Sequence, residues 1–267
     1  MSKEKSGDVV LTQIKEKKGR LVLLFDDGEK IKLPPDVFSE FHLREGDKLS
    51  ESDYARLTEQ AEYWKYWDYC CDKLSRESYS TYQIRTKLIG KGVKKEHVTR
   101  IIARLKEAKL LDDSMFAKTF AEDVGDLRNL GKNRIIYELR LKGIHDDIIA
   151  KLVFPEEKEY EKACRLASFI DRRYSRNPTR KKRLKAMKVL FDHGFDDGVS
   201  GKAVAAMITD TEKTIEEAGL SHDYELCKAK YARKYEGYEL KRHILMALLR
   251  KGYEYDDIER ILEEENL

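Results

Sequence analysis

The chain has 267 residues, of which 41% are hydrophobic and 39% charged, and its formal net charge is +3. This length is enough to bury a sizeable core, and the content of apolar and aromatic residues excludes a disordered chain. No stretch approaches the ~18 consecutive apolar residues of a membrane span, and the opening MSKEKSGDVV lacks the apolar core of a signal peptide. A net charge this small does not indicate nucleic acid as a partner, so that argument must come from the charge distribution.

The four cysteines are Cys70, Cys71, Cys164 and Cys227, and no two of them form a C-x-x-C pair. This spacing indicates neither a disulfide framework nor a zinc site. We therefore expect reduced cysteines in a cytoplasmic protein without a cofactor or a bound metal.

The first fifty residues have the alternation of short β-strands. Strands are predicted at 9–14, 21–25 and 31–33, with an Asp-Asp-Gly turn at 26–28. A double proline then predicts a short helix over 34–41. The sequence therefore predicts a small β-rich N-terminal domain.

From Ser50 onwards the pattern becomes helical. Ser50 is a plausible helix start, and apolar residues recur at spacings of three, four or seven. No proline falls between residues 36 and 154, which supports helix throughout. One apolar face of the first long helix is predicted at Leu57, Ala61, Trp64, Cys71 and Leu74.

A glycine-centred segment recurs four times after residue 80, at Gly92, Gly143, Gly194 and Gly252. If each glycine is a left-handed residue just past a helix end, an apolar residue four positions before it contacts an apolar residue directly after it, as in a Schellman ending. The four predicted pairs are Leu88–Val93, Leu139–Ile144, Leu190–Phe195 and Leu248–Tyr253.

Each repeat is predicted to be a helix, a glycine turn and a second helix, followed by a third, linking helix. Acidic pairs at 146–147, 196–197 and 256–257 indicate the starts of the second helices in three copies. The predicted fold is mainly α-helical, with tandem three-helix repeats after the β-rich start. The predicted segments are a β-rich domain at 1–50, a connecting helix at 51–79, repeats at 80–128, 129–178 and 179–237, and a partial repeat at 238–267.

Several segments of the first two copies resemble the RecX family. The segment from Ser80 to Leu88 and the Lys-Gly-Val at 91–93 are similar to the first repeat of that family. The LLDDxxFA segment at 110–117 and the segment from Asn129 to Ile144 are similar to its later motifs and second repeat. The resemblance is strongest over 70–155, and the β-rich start resembles the cap of longer Gram-positive members. Asn133 is a departure, because many members have proline there.

This resemblance implies a curved array of three-helix units that binds filaments of the RecA recombinase. It also implies a non-enzymatic inhibitor of the ATPase, strand-exchange and co-protease activities of RecA. The implied partners are RecA protein, the RecA–single-stranded DNA filament and DNA phosphates, with a monomeric chain and no membrane. None of this follows from periodicity or charge.

Several motifs are better explained by helix structure than by binding. Lys91, Lys142, His193 and Lys251 precede the repeat glycines, where a cation complements the negative end of a helix. A capping box is predicted from Ser80 and Gln83. The Asp-Asp pair at 112–113 is predicted to cap a helix, and the segment 125–132 fails the spacing of a phosphate-binding loop.

One basic segment resists such an explanation. Residues 172–188 contain nine Lys or Arg and no acid, and a cluster of one sign repels itself unless an anion neutralises it. Tyr174 adds a ring on which a base could stack. The candidate RecA- or DNA-binding residues, with those of the other copies, are Arg85, Lys87, Arg128, Lys132, Arg134, Arg140, Arg172, Arg173, Arg176, Arg180, Lys181, Lys182, Arg183, Lys185, Lys188, Lys241, Arg242 and Arg250.

The leading hypothesis is therefore a regulator of RecA filaments, supported by the motif resemblance. A general nucleic-acid-binding repeat protein, acting directly on single- or double-stranded DNA or RNA, is the alternative that the basic segment favours. A helical scaffold for an unrelated protein is the third, because stacked helix pairs form binding surfaces generally.

Overall fold

The computed structural model describes residues 9–175, 177–207 and 210–264, without the side chains of residues 210–215. Two features considered above lie outside these residues: the opening residues 1–8 and Arg176. The chain forms two compact units, Met1–Phe116 and Ala117–Leu267. None of the helices described is long and apolar enough to cross a membrane.

The first unit opens with a four-stranded antiparallel sheet of order β3-β2-β1-β4. Its elements are β1 (Val9–Lys17), β2 (Arg20–Phe25), β3 (Lys30–Leu33), α1 (Pro35–Ser39) and β4 (Lys48–Leu49). Lys18 and Gly19 both have positive φ between β1 and β2, which is the backbone that a tight two-residue hairpin requires. The three predicted strands are confirmed. The two-residue β4 was not predicted, because Lys48 and Leu49 are too short a run to show alternation.

A long helix, α2 (Glu51–Leu74), shares one core with the sheet and with α3 (Thr81–Ile89) and α4 (Lys95–Glu107). Ser50 caps α2 by accepting the backbone N–H of Asp53, as its sequence predicts. The predicted apolar face needs one correction. Cys70 is fully buried, and Cys71 packs against the same core only partly buried.

The rest of the chain is helical. The elements after α4 are α5 (Asp113–Thr119), a π-helical turn (Phe120–Val124), α6 (Gly125–Leu127), α7 (Lys132–Leu141), α8 (Asp146–Ile149), α9 (Glu156–Arg173), α10 (Thr179–Asp192), α11 (Asp197–Ala205), α12 (Asp210–Tyr231), α13 (Gly237–Lys251) and α14 (Tyr255–Glu264). The prediction of a mainly α-helical chain with a small β-rich start is confirmed. The exact boundaries of the six predicted segments stay predictions.

All four predicted Schellman endings are present. The φ angles of the four glycines lie between 74° and 106°. In each copy the residue after the glycine donates its N–H to the leucine carbonyl four residues before the glycine, at 3.1 to 3.3 Å. All eight apolar residues of the four pairs are buried. The glycine and its two apolar neighbours, which recur in all four copies, therefore serve to end a helix.

The cations before the glycines contact side chains as well as complementing the helix end. Lys251 binds Asp223 of α12 at 2.6 Å, Lys91 lies over the ring of Tyr69, and Lys142 lies over the ring of Phe120. In these three copies the cation therefore contacts an element that lies earlier in the chain than its own helix. These contacts support the predicted structural role of the cations, and they show which side chains the cations contact.

In the second unit the start of one copy packs on the glycine turn of the next. The N–H of Gly131 donates to the carbonyl of His193 at 2.9 Å, and the N–H of Asn133 donates to that of Gly194 at 3.0 Å. A Cβ added to Gly131 would lie 2.5 Å from the backbone of Gly194, so neither position has room for a side chain. A proline at 133 could not donate this hydrogen bond. Asn133, where many RecX-family members have proline, therefore contributes a contact between two copies.

Candidate nucleic-acid interface

The basic segment 172–188 covers the end of α9 and most of α10. Arg172 and Arg173 lie in the last turn of α9, where cations complement the helix dipole. Arg180 and Arg183 lie in the first turns of α10, which contain no acid of their own and where the dipole disfavours a cation. Helix stability therefore explains the cations of α9 and leaves those of α10 unexplained.

Most of these cations face solvent. Within the described residues, none of the exposed ones forms an ion pair with a carboxylate. A surface of one sign with no internal partner is the type of surface that phosphates neutralise. The exposed residues are Arg172, Arg173, Arg180, Lys181, Arg183 and Lys188.

Two members of the segment are not available to a ligand in the predicted way. Lys182 is only 6% exposed, and its Nζ binds Asp171 Oδ1 at 2.6 Å; the interpretation of Lys182 as a surface cation was wrong. The side chain follows the buried face of α10 that also carries Ala186 and Leu190. Tyr174 was predicted to stack on a base, but the Lys185 ammonium lies 3.4 Å from its ring centroid and covers that face.

Three of the four candidate cations of the second copy are held by acids, and the fourth, Lys132, has an exposed side chain. Glu138, on α7, accepts two hydrogen bonds from Arg128 and one from Arg134, all between 2.9 and 3.1 Å. Arg140 binds Asp146 at 2.8 Å. Partial burial of Glu138 acts to raise the pKa of its carboxyl, but the hydrogen bonds from the two arginines outweigh burial and the pKa is lowered. These arginines stabilise the turn around α7, and their charge is largely balanced.

The first and fourth copies contribute fewer free cations. Arg85 is exposed on α3, while Lys87 lies over the ring of Tyr79. On α13, Arg242 contacts Glu239 at 3.4 Å, and Arg250 donates to the carbonyl of Met246. Lys241 is half-buried. The structure therefore concentrates the unbalanced candidates on α9 and α10.

In three copies, a carboxylate of the chain occupies the N-terminus of the first helix, which the sequence did not reveal. The first residue of each helix donates its backbone N–H to a carboxylate 27 to 37 residues later in the chain. A free helix N-terminus is an anion site, but here a carboxylate of the chain already occupies it. The pairs are Thr81 with Asp113, Lys132 with Glu159, and Thr179 with Glu216.

The acid of the second copy is part of a buried ion pair. Glu159 is 8% exposed and Lys162 4% exposed, and their charged atoms lie 2.6 Å apart. Lys162 also donates to the carbonyl of Leu130 at 2.8 Å. This pair therefore fixes the backbone on both sides of Gly131, the residue that packs on the next copy's turn. The i,i+3 spacing of the pair is visible in the sequence, but its contacts to Leu130 and Lys132 are not, because those atoms meet only through tertiary packing.

We find no group of three or more His, Cys, Asp or Glu side chains that could hold a metal ion among the described residues. The predicted caps at Asp112 and at Ser80–Gln83 are both formed. The thiol of Cys70 is buried, which raises its pKa to about 12, so it stays protonated at neutral pH and is a poor nucleophile.

Comparisons with known proteins agree with the family resemblance predicted from the sequence. The family model described as "RecX, second three-helix domain" matches residues 112–152. The chain is 29% identical over 252 residues to "Regulatory protein RecX" of Lactococcus lactis subsp. cremoris (strain SK11), covering 89% of this chain and 90% of the relative. It is 26% identical over 262 residues to the protein of that name in Limosilactobacillus reuteri (strain DSM 20016), covering 95% and 97%.

Two solved structures are similar in fold. "Crystal structure of regulatory protein RecX" matches with a TM-score of 0.58 and 26% identity, over 72% of this chain and 96% of that one. The RecX structure from Lactobacillus salivarius matches with a TM-score of 0.50 and 22% identity, over 55% and 96%. The predicted resemblance is confirmed by the model, the relatives and the structures.

Proposed function

We propose that this chain, which belongs to the RecX family, is a non-enzymatic regulator of RecA that binds RecA–DNA filaments. Through that binding it lowers their ATPase, strand-exchange and co-protease activities. The observation that carries the proposal is a similarity to proteins named as regulators that extends over 89% or more of this chain. A match of this extent includes the repeats as well as the β-rich start.

The charge distribution supports contact with a nucleoprotein rather than with protein alone. The exposed cations of α9 and α10 have no carboxylate partner in the described part of the chain, and DNA phosphates are the anions that such a filament offers. The carboxylates that cap α3, α7 and α10 occupy three helix N-termini. Side chains, rather than helix ends, are therefore the groups proposed to bind phosphate. We propose that the chain acts as a monomer.

The proposal is tested by titrating the full chain into RecA on single-stranded DNA and measuring ATP turnover. We expect turnover to fall at substoichiometric amounts of the chain, because one regulator bound to a filament affects many subunits. Unchanged turnover at an excess of the chain would contradict the proposal.

A matched pair of variants then tests the role of α10. Arg180→Glu, Arg183→Glu and Lys188→Glu together reverse three exposed cations of α10. Lys15→Glu, Lys17→Glu and Lys30→Glu make the same charge change at exposed positions of the sheet. We expect the α10 triple variant to need at least tenfold more protein for half inhibition, since like charges repel phosphate. Equal inhibition by both triple variants would remove α10 from the interface.

Direct binding to nucleic acid, without RecA, is the second candidate function. The observation that favours it is the same exposed surface of one sign on α9 and α10. Binding to free DNA should then weaken steeply with salt, by about 0.7 log units per log unit of salt for each single-strand phosphate contact. Undetectable binding to free DNA at low salt would exclude this function and leave the RecA proposal standing.

A further inference from the structure

The turn between α12 and α13 is a second basic surface, and it differs from the first in containing aromatic rings that stack on one another. We call residues 228–243 the elbow. It contains six Lys or Arg, two Glu and three Tyr. Except for Lys241 and Arg242, none of these cations belongs to the candidate interface described above. The tyrosines are Tyr231, Tyr235 and Tyr238, and the cations are Lys228, Lys230, Arg233, Lys234, Lys241 and Arg242.

The rings of the elbow are already arranged as a stack. The centroids of Tyr235 and His243 lie 3.9 Å apart with 24° between their planes, and Tyr231 lies 5.7 Å from His243 at 21°. The Tyr235–His243 pair has the geometry of a base stacked on an aromatic side chain, whereas the ring of Tyr231 is tilted by 44° to that of Tyr235. Tyr238, three residues after Tyr235, is 78% exposed, so most of its ring is accessible to a ligand.

The charges of the elbow leave cations available. Of its two acids, Glu239 is shared between Arg242 at 3.4 Å and His243 at 3.9 Å. Arg233 and Lys234 are exposed in the turn itself, and no carboxylate of the described residues lies within ion-pair distance of either. Two exposed cations therefore lie four and five residues before the exposed ring of Tyr238 in the chain.

The α9–α10 surface has exposed rings at Phe169 and Phe191, but among the described residues neither ring pairs with another ring, and Lys185 lies over the ring of Tyr174. We propose that the elbow is a binding site for unpaired nucleotides, in which a base stacks on Tyr238 beside the existing ring stack and Arg233 and Lys234 contact the adjacent phosphates. Unpaired nucleotides fit this site better than duplex, since the face of a paired base is already stacked on its neighbours.

The elbow lies away from the start of α10. Glu216, which caps α10, lies fifteen residues before the end of α12 at Tyr231, or about 22 Å along the helix axis. At this separation, substitutions at the two sites should change affinity independently. The first site offers charge to any nucleic acid, whereas the elbow adds a preference for single strands.

The test is fluorescence anisotropy of the full chain with a fluorescein-labelled oligothymidylate and with a labelled hairpin duplex, in the absence of RecA. Tyr238→Ala should weaken binding of oligothymidylate about tenfold, because one base–ring stack contributes ~1–3 kcal/mol and 1.4 kcal/mol is tenfold. The salt slope should stay unchanged, since no charge is removed. Tyr238→Phe should keep the affinity of the unaltered chain, and binding of the duplex should not change.

Tyr137→Ala is the matched control, because it removes a tyrosine that is 53% exposed on α7. It should leave the affinity for oligothymidylate unchanged. Arg233→Gln with Lys234→Gln should lower the salt slope by about 1.4, for two single-strand contacts. The proposal is overturned if the unaltered chain does not bind oligothymidylate, if Tyr238→Ala binds it normally, or if Tyr137→Ala loses as much. No RecA is present, so failure here leaves the ATPase experiment to decide the proposed function separately.

Discussion

Helices α7 and α10 are the same element of successive copies, and both carry candidate cations. The arginines of α7 form ion pairs with acids of the chain, whereas the exposed cations of α10 do not. Five residues before its glycine, α7 has Glu138, which binds Arg128 and Arg134. The same position of α10 is Val189, and its exposed cations have no acid partner among the described residues. A single position in the repeat therefore separates a balanced helix from an unbalanced one.

This difference separates structural from functional use of the same residue type. Where a copy supplies an acid, arginine fixes the fold around the turn. Where it supplies an apolar residue instead, the cations remain for a partner. Such unbalanced charge lowers the stability of α10 when no anion is bound. It is the kind of local inconsistency that functional sites have.

The largest expected effect comes from the contact that joins the two helices. In Gly194→Ala the new Cβ would lie 2.2 Å from the backbone nitrogen of Arg134, at a φ of +85°. Gly92→Ala is the control, with a similar φ of +75° and open space around its Cβ. The left-handed backbone costs about 1–2 kcal/mol in both variants, and overpacking adds ~1–3 kcal/mol in Gly194→Ala alone.

Urea unfolding followed by far-ultraviolet circular dichroism measures both variants. A total loss of roughly 3–4 kcal/mol is expected for Gly194→Ala. If the two variants lose equal stability, the start of α7 does not pack on the turn of α10 as described.

The next effect concerns phosphate binding by the two helices. Arg180→Gln, Arg183→Gln and Lys188→Gln together should weaken binding to single-stranded DNA about a hundredfold at 0.1 M salt, and should lower the salt slope by about 2. Neutralising Arg134 and Arg140 of α7, together with Arg128 that precedes it, removes ion pairs within the chain, so the slope should change much less.

Lys182→Gln provides a control within α10 itself. It removes the same charge, but from a buried ion pair with Asp171, so the chain should lose about 2 kcal/mol of stability with little change in the salt slope. If the α7 variant changes the slope as much as the α10 variant does, the distinction between balanced and unbalanced helices fails.

The sequence was sufficient for the features that depend on local spacing. The Schellman pairs, the capping box at Ser80 and the strands at 9–33 all follow from residues within a few positions of each other. Features that depend on distant residues could not be predicted in this way. The Thr179–Glu216 cap, the Gly131–Gly194 packing and the buried pair of Lys182 with Asp171 each require knowing which helices meet. A count of lysines and arginines over 172–188 therefore overestimated the surface charge.

The aromatic elbow was missed for a different reason. Its cations are interspersed with Glu236 and Glu239, so a search for one-sign segments does not find it. Only the ring geometry distinguishes it from an ordinary mixed surface, and that geometry joins Tyr231 and Tyr235 to His243 across a turn.

The smallest expected effect tests the balance of α7 through pH. The pKa of Glu138 is lowered in the folded state by the two arginines, so its ionised form binds there more favourably than in the unfolded chain. This contribution is fully present above the unfolded pKa of ~4.3, and it is lost as pH falls through the lower folded pKa.

In Glu138→Gln the contribution is absent at every pH. The variant should therefore be about 1 kcal/mol less stable at pH 7, and the difference should shrink as pH falls below ~4. Urea unfolding at several pH values measures this difference, and a gap that stays constant down to pH ~3 would show that Glu138 does not act through its charge. Val189→Gln of α10 is the matched control: its cost should not depend on pH in this range, because no carboxyl is removed.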